Sequence, residues 1–372
     1  MKLCVFPNDP LFAYYNKGEI KERYYNPCNI FDEVHIISFV KQDIEEAKVQ
    51  TIVGNAKLKI HSVGNVNLRN RWRNVSRIKS IVKTIKPDVI RAYNPRIEGW
   101  FAAFCSEELK IPFYLSLHTQ YDNLRKVYRK SNLKKFIALK YSEKFVEPFV
   151  LKKADKITMV YRIIEPYVIR HCKIKPEVLY NRIDCKRFLD SKPIESLPSP
   201  LIISVGSLNE QKNHQCIINA MQWIDAHLLV IGNGELYDRL IELVRKLKIE
   251  RKVTIQKTVA NSEIQNYYKS SEVFALAYNP EQEGLPIPVM EAMASGLPVV
   301  IPFPKVDYSD GLENIAIFSQ RNSSSFASNI NKILTNPDLQ KELSMKSLEK
   351  AKDFDNSIIE TREAEIYSEL LS

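Results

Sequence analysis

Two carboxylates stand eight positions apart in the stretch Glu283-Gly-Leu-Pro-Ile-Pro-Val-Met-Glu291, and the residues between them are those of a loop turning into a helix. Gly284 frees the backbone, while Pro286 and Pro288 preset φ at a helix start, where a missing N–H costs nothing. Val289 to Ala294 is good helix material, and Gly296 followed by Pro298 is a helix stop. Glu283 is therefore expected in the loop and Glu291 about one turn into the helix. The unbonded N–H groups of such a helix start make an anion site in the same space. Carboxylates that can accept sugar hydroxyls, beside N–H donors that can hold phosphate, suit a nucleotide-sugar.

A second group of residues adds a cation. Leu201-Ile-Ile-Ser-Val-Gly206-Ser207-Leu-Asn-Glu-Gln-Lys212 reads as a strand, a glycine turn and a lysine at the start of a helix. Gly206 lets backbone approach a ligand, and Lys212 places a point charge beside a helix N-terminus. His227 to Ile231, then Gly232-Asn-Gly234, is another strand and turn. Tyr237 occupies the third glycine position, so the dinucleotide-binding fingerprint is incomplete. That leaves Gly232 either a tight turn or a ligand contact. His118 follows the apolar run Ile111 to Leu117, at the carboxyl end of an expected strand, where functional residues collect.

These residues need elements to position them. Short apolar runs alternate with longer amphipathic stretches, which predicts βα units and parallel sheets. Strands are expected at 3–6, 34–39, 89–92, 113–117, 157–160 and 178–180 in the first half. In the second half they are expected at 201–205, 227–231, 253–255, 273–277, 299–301 and 316–318. Helices are expected at 76–85, 98–109, 214–221, 236–247 and 262–270, with Ser262 and Gln265 as a capping box for the last. The segment 191–200 holds three prolines and no periodic pattern, and so reads as a linker. The expected fold class is α/β, with two doubly wound domains at 1–190 and 191–354 that face an interdomain cleft, and a terminal helix at 355–372.

Composition sets bounds on this reading. At 372 residues, two domains are the natural expectation. No apolar run approaches the ~18 residues of a membrane span. The opening Met1 to Phe6 breaks at Pro7, like a first strand and unlike a secretory signal. Six dispersed cysteines without a C-x-x-C pair are expected to be reduced thiols of a cytoplasmic protein. The net charge of +10 is uneven: residues 1–190 carry 36 of the 54 Lys and Arg but only 20 of the 44 Asp and Glu. An anionic partner for the first half follows. The six histidines show no metal-binding spacing, and neither a phosphate-binding P-loop nor a G-x-S-x-G elbow is present. Asp353-Phe-Asp355 opens the terminal helix, where acidic residues act as caps.

E-x7-E followed by Glu291-Ala-Met-Ala-Ser-Gly-Leu-Pro-Val-Val300 resembles the donor-site signature of family-4 retaining glycosyltransferases, which have the GT-B fold. The likeness runs through almost the whole chain and is strongest from 201 to 300. Ile85-Lys-Pro-Asp-Val-Ile-Arg-Ala-Tyr-Asn94 is similar to a strand of that family, and the strand before His118 is similar to the one that ends in its active-site histidine. Tyr180-Asn-Arg182-Ile-Asp184 resembles a turn near its domain junction, and Asn16-Lys-Gly18 lies where it often has a glycine-rich loop. The resemblance implies that Lys212 clamps the donor diphosphate, with Gly206 as the family's turn glycine, that Glu291 holds the ribose and that Glu283 holds a donor-sugar hydroxyl. It implies further that the N–H groups at Gly284 and Leu285, with Pro286 at the helix start, meet phosphate, and that Thr258 and Val259 lie at the base. Ser207 stands where the family has arginine, which implies either a weaker hold on the donor or another cation, such as Arg182, in its place. Lys257 lies where a glycine is usual.

The implied activity is transfer of a sugar with retention, from a UDP- or GDP-linked donor to a glycan or lipid-linked acceptor, in cell-surface polysaccharide or glycolipid synthesis. The leaving phosphate would help deprotonate the acceptor, so no protein base and no metal or other cofactor is required. The alternatives are another GT-B enzyme, such as a sugar-nucleotide epimerase or phosphorylase, and a catalytically weak membrane-associated partner subunit. In the basic half, residues 67–86 carry seven cations, no acid and Trp72, while 124–153 carry ten cations with interleaved aromatics. Such stretches are solvated helix faces, nucleic-acid contacts or contacts with an anionic membrane. The membrane is the expected partner, at the inner face of the cell membrane, with no nucleic acid.

Overall fold

The computed structural model describes residues 1–305 and 308–372. The side chain of Lys130, one of the ten cations of the second basic stretch, lies outside the described residues. The chain divides into two compact units: residues 1–180 with 360–372, and residues 181–359.

The first unit is built on seven parallel strands: β1 (Lys2–Phe6), β2 (Glu33–Ser38), β3 (Lys57–Ser62), β4 (Val89–Ala92), β5 (Phe113–Leu117), β6 (Lys156–Met159) and β7 (Glu177–Val178). Their order is β3-β2-β1-β4-β5-β6-β7. The order reverses between β1 and β4, and Asn8 and Asn94, which follow those strands, meet there through Asn94 Nδ2 donating to Asn8 Oδ1 at 3.1 Å. β3 was not among the expected strands. It pairs along all six residues with β2 at the sheet edge, and its alternating lysines leave no apolar run to read.

The second unit carries six parallel strands: β8 (Leu201–Val205), β9 (His227–Ile231), β10 (Val253–Gln256), β11 (Val273–Ala275), β12 (Val299–Pro302) and β13 (Ile317–Ser319). Their order is β10-β9-β8-β11-β12-β13, so the reversal falls between β8 and β11. Helices cover the sheet, and Ile202, Leu228, Val230, Val273 and Val300 join Ile217, Phe326 and Ile330 in one core. Sheets covered on both faces give the near-continuous apolar strands seen in the sequence.

Two expectations require correction. The division falls at Tyr180/Asn181 and not in the proline-rich segment, because helix Cys185–Leu189 and the residues after it pack into the second unit. Phe188 sits 5.8 Å from the Tyr268 ring, and Ile194 N donates to Ser270 Oγ at 2.7 Å. The capping box does not form either. Glu263 is the N-cap of helix Ile264–Lys269, and Gln265 donates to the Ser262 carbonyl while accepting from Arg187.

Asp355 caps the terminal helix Asn356–Leu371 by accepting from Ser357 N at 2.9 Å. From Glu360 onward this helix belongs to the first unit. Arg91 of β4 pairs there with Glu363 and donates to Tyr367 Oη at 2.7 Å, with all three side chains buried.

Candidate functional site

Gly206 leaves the end of β8 at φ +152, a conformation that favours glycine, with the Lys212 side chain folded over it. Behind it, the Gly232–Gly234 turn is packed against backbone. A Cβ on Gly232 would fall 1.9 Å from the Gly206 carbonyl oxygen, and one on Gly234 would fall 2.4 Å from that of Leu208. Leu208 N also donates to Asn233 O at 2.9 Å. In this structure Gly232 therefore backs the Gly206 loop. Ser207 is exposed, and Asn209 Oδ1 accepts from Lys212 N at 3.0 Å.

Glu283 lies in the loop after β11, the strand beside β8 at the reversal of strand order. This adjacency brings together residues 71 apart: Lys212 Nζ donates to Glu283 Oε2 at 2.6 Å, and Gln211 Nε2 donates to the same oxygen at 3.1 Å. Ligand sites in doubly wound sheets collect at such a reversal, outside the carboxyl ends of the strands. The two side chains are 12% and 20% exposed, so the pair is shielded but reachable.

Helix Ile287–Ala294 starts beside the pair. Pro286 is its extended N-cap, Pro288 occupies the first turn, and among the described residues no side chain caps it. Leu285 is buried beneath this start, and Tyr278 Oη donates to the Gly284 carbonyl at 2.9 Å. The loop is thus held by its carbonyl groups. One turn in, Glu291 Oε2 accepts from Tyr268 Oη at 2.9 Å. Burial first, and then the Glu291 carboxylate, hold the Tyr268 phenol well above its usual range, so it stays a donor.

The remaining expected residues lie farther out. Thr258 and Val259 follow β10, separated from β8 by β9. Lys257, at the departure from the family pattern, lays its ammonium 4.1 Å from the centre of the Tyr237 ring. Arg182 is buried in the second unit.

His118 belongs to the first unit, just past β5. Its Nε2 is buried and finds no partner among the described residues, and its ring lies 5.4 Å from that of Tyr93. Burial, reinforced by the Arg91 guanidinium, pushes its imidazole down to about 4, so it is neutral near pH 7. Among the described residues, no three His, Cys, Asp or Glu side chains converge as metal ligands.

Sequence reasoning missed several residues that hold this site. Gln211 shares Glu283, Tyr268 orients Glu291, and Tyr278 fixes the Gly284 loop. Only Gln211, next to Lys212, carried a positional signal. Glu98 was missed in the first unit. It opens helix Ile97–Leu109 near the β1/β4 reversal, and burial pushes its carboxyl up to about 7, against the opposing pull of its own backbone N–H and Asn94.

Two parallel, doubly wound sheets of seven and six strands are the two domains of a GT-B architecture. Solved GT-B structures superpose over nearly the full chain. Anabaena HepE in complex with UDP gives a TM-score of 0.74 at 15% identity, covering 99% of this chain and 100% of that one. A glycosyltransferase from Rickettsia africae gives 0.72 at 19%, covering 100% and 98%. At these identities the likeness is one of fold.

Two family profiles complete the assignment. Glycosyltransferase Family 4 matches residues 32–187 and Glycosyl transferases group 1 matches residues 186–350; the chain belongs to this glycosyltransferase family. Among curated relatives, the alpha-monoglucosyldiacylglycerol synthase of Streptococcus pneumoniae is 26% identical over 250 residues, which is 62% of this chain and 55% of that protein. A Campylobacter jejuni enzyme, N-acetylgalactosamine-N,N'-diacetylbacillosaminyl-diphospho-undecaprenol 4-alpha-N-acetylgalactosaminyltransferase, is 27% identical over 243 residues, 62% and 63% of the two chains. The matches thus span somewhat more than half the length of these relatives.

Proposed function

We propose that this chain is a retaining glycosyltransferase that moves a sugar from a nucleotide-sugar to a glycan or lipid-linked acceptor in polysaccharide or glycolipid synthesis. The observation that carries the reading is the Lys212–Glu283 pair at 2.6 Å, beside a helix start that no side chain among the described residues caps. Glu291, held by Tyr268, takes the ribose hydroxyls, and Glu283 takes a hydroxyl of the donor sugar. Lys212 then turns to the diphosphate with the N–H groups of Gly284, Leu285 and the helix start. That placement stabilises negative charge where it develops as the sugar–phosphate bond breaks. His118 offers a neutral imidazole to a sugar hydroxyl. The leaving phosphate oxygen accepts the acceptor's proton, so the charge stabilisation comes from Lys212 and the helix.

The names of two relatives support the acceptor class, one a glucosyldiacylglycerol synthase and the other acting on a diphospho-undecaprenol substrate. Binding of UDP by HepE supports a nucleotide-linked donor. The test is saturation-transfer NMR of the full chain against UDP- and GDP-sugars, followed by donor hydrolysis and transfer assays. Binding of one nucleotide-sugar, with turnover lost in Lys212→Ala and Glu283→Ala, is expected. Turnover that survives both substitutions would defeat the assignment of these residues.

A second reading follows from Ser207, which leaves the diphosphate loop without the family's arginine. A weakened donor site would suit a non-catalytic partner subunit. Failure to bind any nucleotide-sugar in the same NMR panel would favour that reading over catalysis.

A further inference from the structure

Helix Leu133–Phe145 is apolar on two opposite faces. One is covered by protein: Leu139 and Ser142 are buried. The other is not. Leu133, Ile137, Tyr141 and Phe145 follow one another at four-residue spacing along the helix, and they are 64%, 60%, 41% and 55% exposed. Residues at that spacing share a helix face. A single exposed leucine means little, but four apolar side chains in line along one helix form a patch of the kind that marks an interaction surface.

The patch extends beyond the helix. Arg71 Nη2 donates to Tyr141 Oη at 3.0 Å, and its guanidinium also lies 5.2 Å from the ring centre of Trp72, which is 62% exposed. This tie brings the two basic stretches of the sequence together on one surface. Its exposed charge is mostly positive: Lys134 and Lys144 lie on the same helix, with Lys144 5.2 Å from the Phe145 ring centre, exposed Arg69 and Arg73 flank Arg71 in sequence, and the helix's one acid, Glu143, is paired with Lys140.

We propose that this face docks on an anionic lipid bilayer. The row Leu133–Ile137–Tyr141–Phe145, with Trp72, enters the boundary between headgroups and acyl chains, while the surrounding Lys and Arg meet lipid phosphates. An interfacial helix needs both halves of this arrangement, buried apolar area and attraction to anionic lipid. Side-chain chemistry separates this partner from two others. Single-stranded nucleic acid would use aromatic rings for stacking, but Leu133 and Ile137 have no ring to offer. A second copy would set two cationic faces against each other. The inference deepens the acceptor class proposed above, because a lipid-linked acceptor is held in the surface this face would enter.

The experiment is co-sedimentation of the full chain with phosphatidylcholine vesicles, with and without phosphatidylglycerol, at low and raised salt. The protein is compared with the double variant Ile137→Ser/Phe145→Ser. Binding that requires phosphatidylglycerol, weakens with salt and falls by about tenfold or more in the variant is expected, since two apolar side chains are withdrawn from burial. The melting temperature and nucleotide-sugar binding of the variant should match the parent. Blue-shifted Trp72 fluorescence on vesicle addition, absent in Trp72→Phe, would place that ring in the bilayer boundary. Equal binding by parent and variant, or binding indifferent to lipid charge, would overturn the proposal. So would lipid-independent self-association, or nucleic-acid binding without vesicle binding, each of which assigns the face to another occupant. Donor hydrolysis without vesicles reads the reaction separately, so the two proposals fail independently.

Discussion

The Tyr268 hydroxyl donates to Glu291 Oε2 at 2.9 Å from a side chain with no exposure to solvent. A buried phenol thereby fixes the carboxylate proposed to hold the donor ribose. Tyr268→Phe keeps the ring packing against Phe188 and Phe274 and removes this bond together with a longer one, 3.4 Å, to the Pro288 carbonyl. A hydrogen bond to a charged group contributes ~1.5–3 kcal/mol. Donor KM should therefore rise about tenfold or more with a smaller change in kcat, as measured by initial-rate kinetics.

The Lys212–Glu283 pair makes a different prediction, because in the proposed reaction the donor diphosphate draws the ammonium away from the carboxylate. Lys212→Ala should lower kcat by roughly 10²–10³, the usual cost of removing one preorganised group that stabilises developing charge. In a double-mutant cycle with Glu283→Gln, the two substitutions should be non-additive for binding of the nucleoside diphosphate alone. Strict additivity in titration calorimetry would mean the ion pair does not gate phosphate binding.

Two histidines set a pH dependence. Burial is the main cause that pushes both His118 and His214 from the usual 6.5 down to about 4, with Arg91 adding for the first and Lys212 for the second. Their folded-state pKa values are depressed, so the unfolded chain binds more protons between pH 4 and 6.5. The stability each contributes is complete above 6.5 and is lost as pH falls through that window. His214, whose Nδ1 lies 3.0 Å from Ser204 Oγ, gives the cleaner test. Melting temperature should drop from pH 7 to pH 4, and the drop should be shallower in His214→Asn.

The glycine behind the Gly206 loop is a steric matter. Gly232→Ala would press a methyl group onto the Gly206 carbonyl at 1.9 Å, and neither backbone segment can yield as a flexible side chain would. Overpacking of this kind costs about 1–3 kcal/mol. Chemical denaturation should show that loss, together with weakened nucleotide binding, although no Gly232 side-chain atom exists to touch a ligand.

Removing Glu363 should be more costly. Its carboxylate answers the Arg91 guanidinium, which also donates to Ser116 Oγ at 3.0 Å and lies 4.5 Å from the centre of the Tyr114 ring. Breaking one side of a buried pair costs about 3–5 kcal/mol, because the remaining charge stays buried. Glu363→Ala should lose that much in urea denaturation, and Glu363→Gln should lose less.

Where the sequence was legible, the reason is physical. Strands such as Leu201–Val205 and His227–Ile231 have the expected bounds because both faces are covered and nearly every residue reads as apolar. Lys57–Ser62 escaped because an edge strand alternates with lysine. Glu283, Glu291 and Lys212 were legible as types beside a helix start. Their pairing was not, since a contact across 71 residues is set by strand order and not by any local spacing. Tyr268 was invisible for the same reason: nothing near it in sequence marks it as the support of a carboxylate 23 positions on. The capping box failed because Arg187, from a distant segment, competes for Gln265.

The helix that returns to the first unit bears on how the protein is made. A ribosome releases Arg91 some 272 residues before it supplies Glu363. Throughout that interval the nascent first sheet carries a cation without its counter-charge, while the whole second unit is synthesised and is free to fold. Completion of the first unit thus waits on residues made after those of the second. The second unit can finish first, while the first gains its buried counter-charge only once residues 360–372 are made.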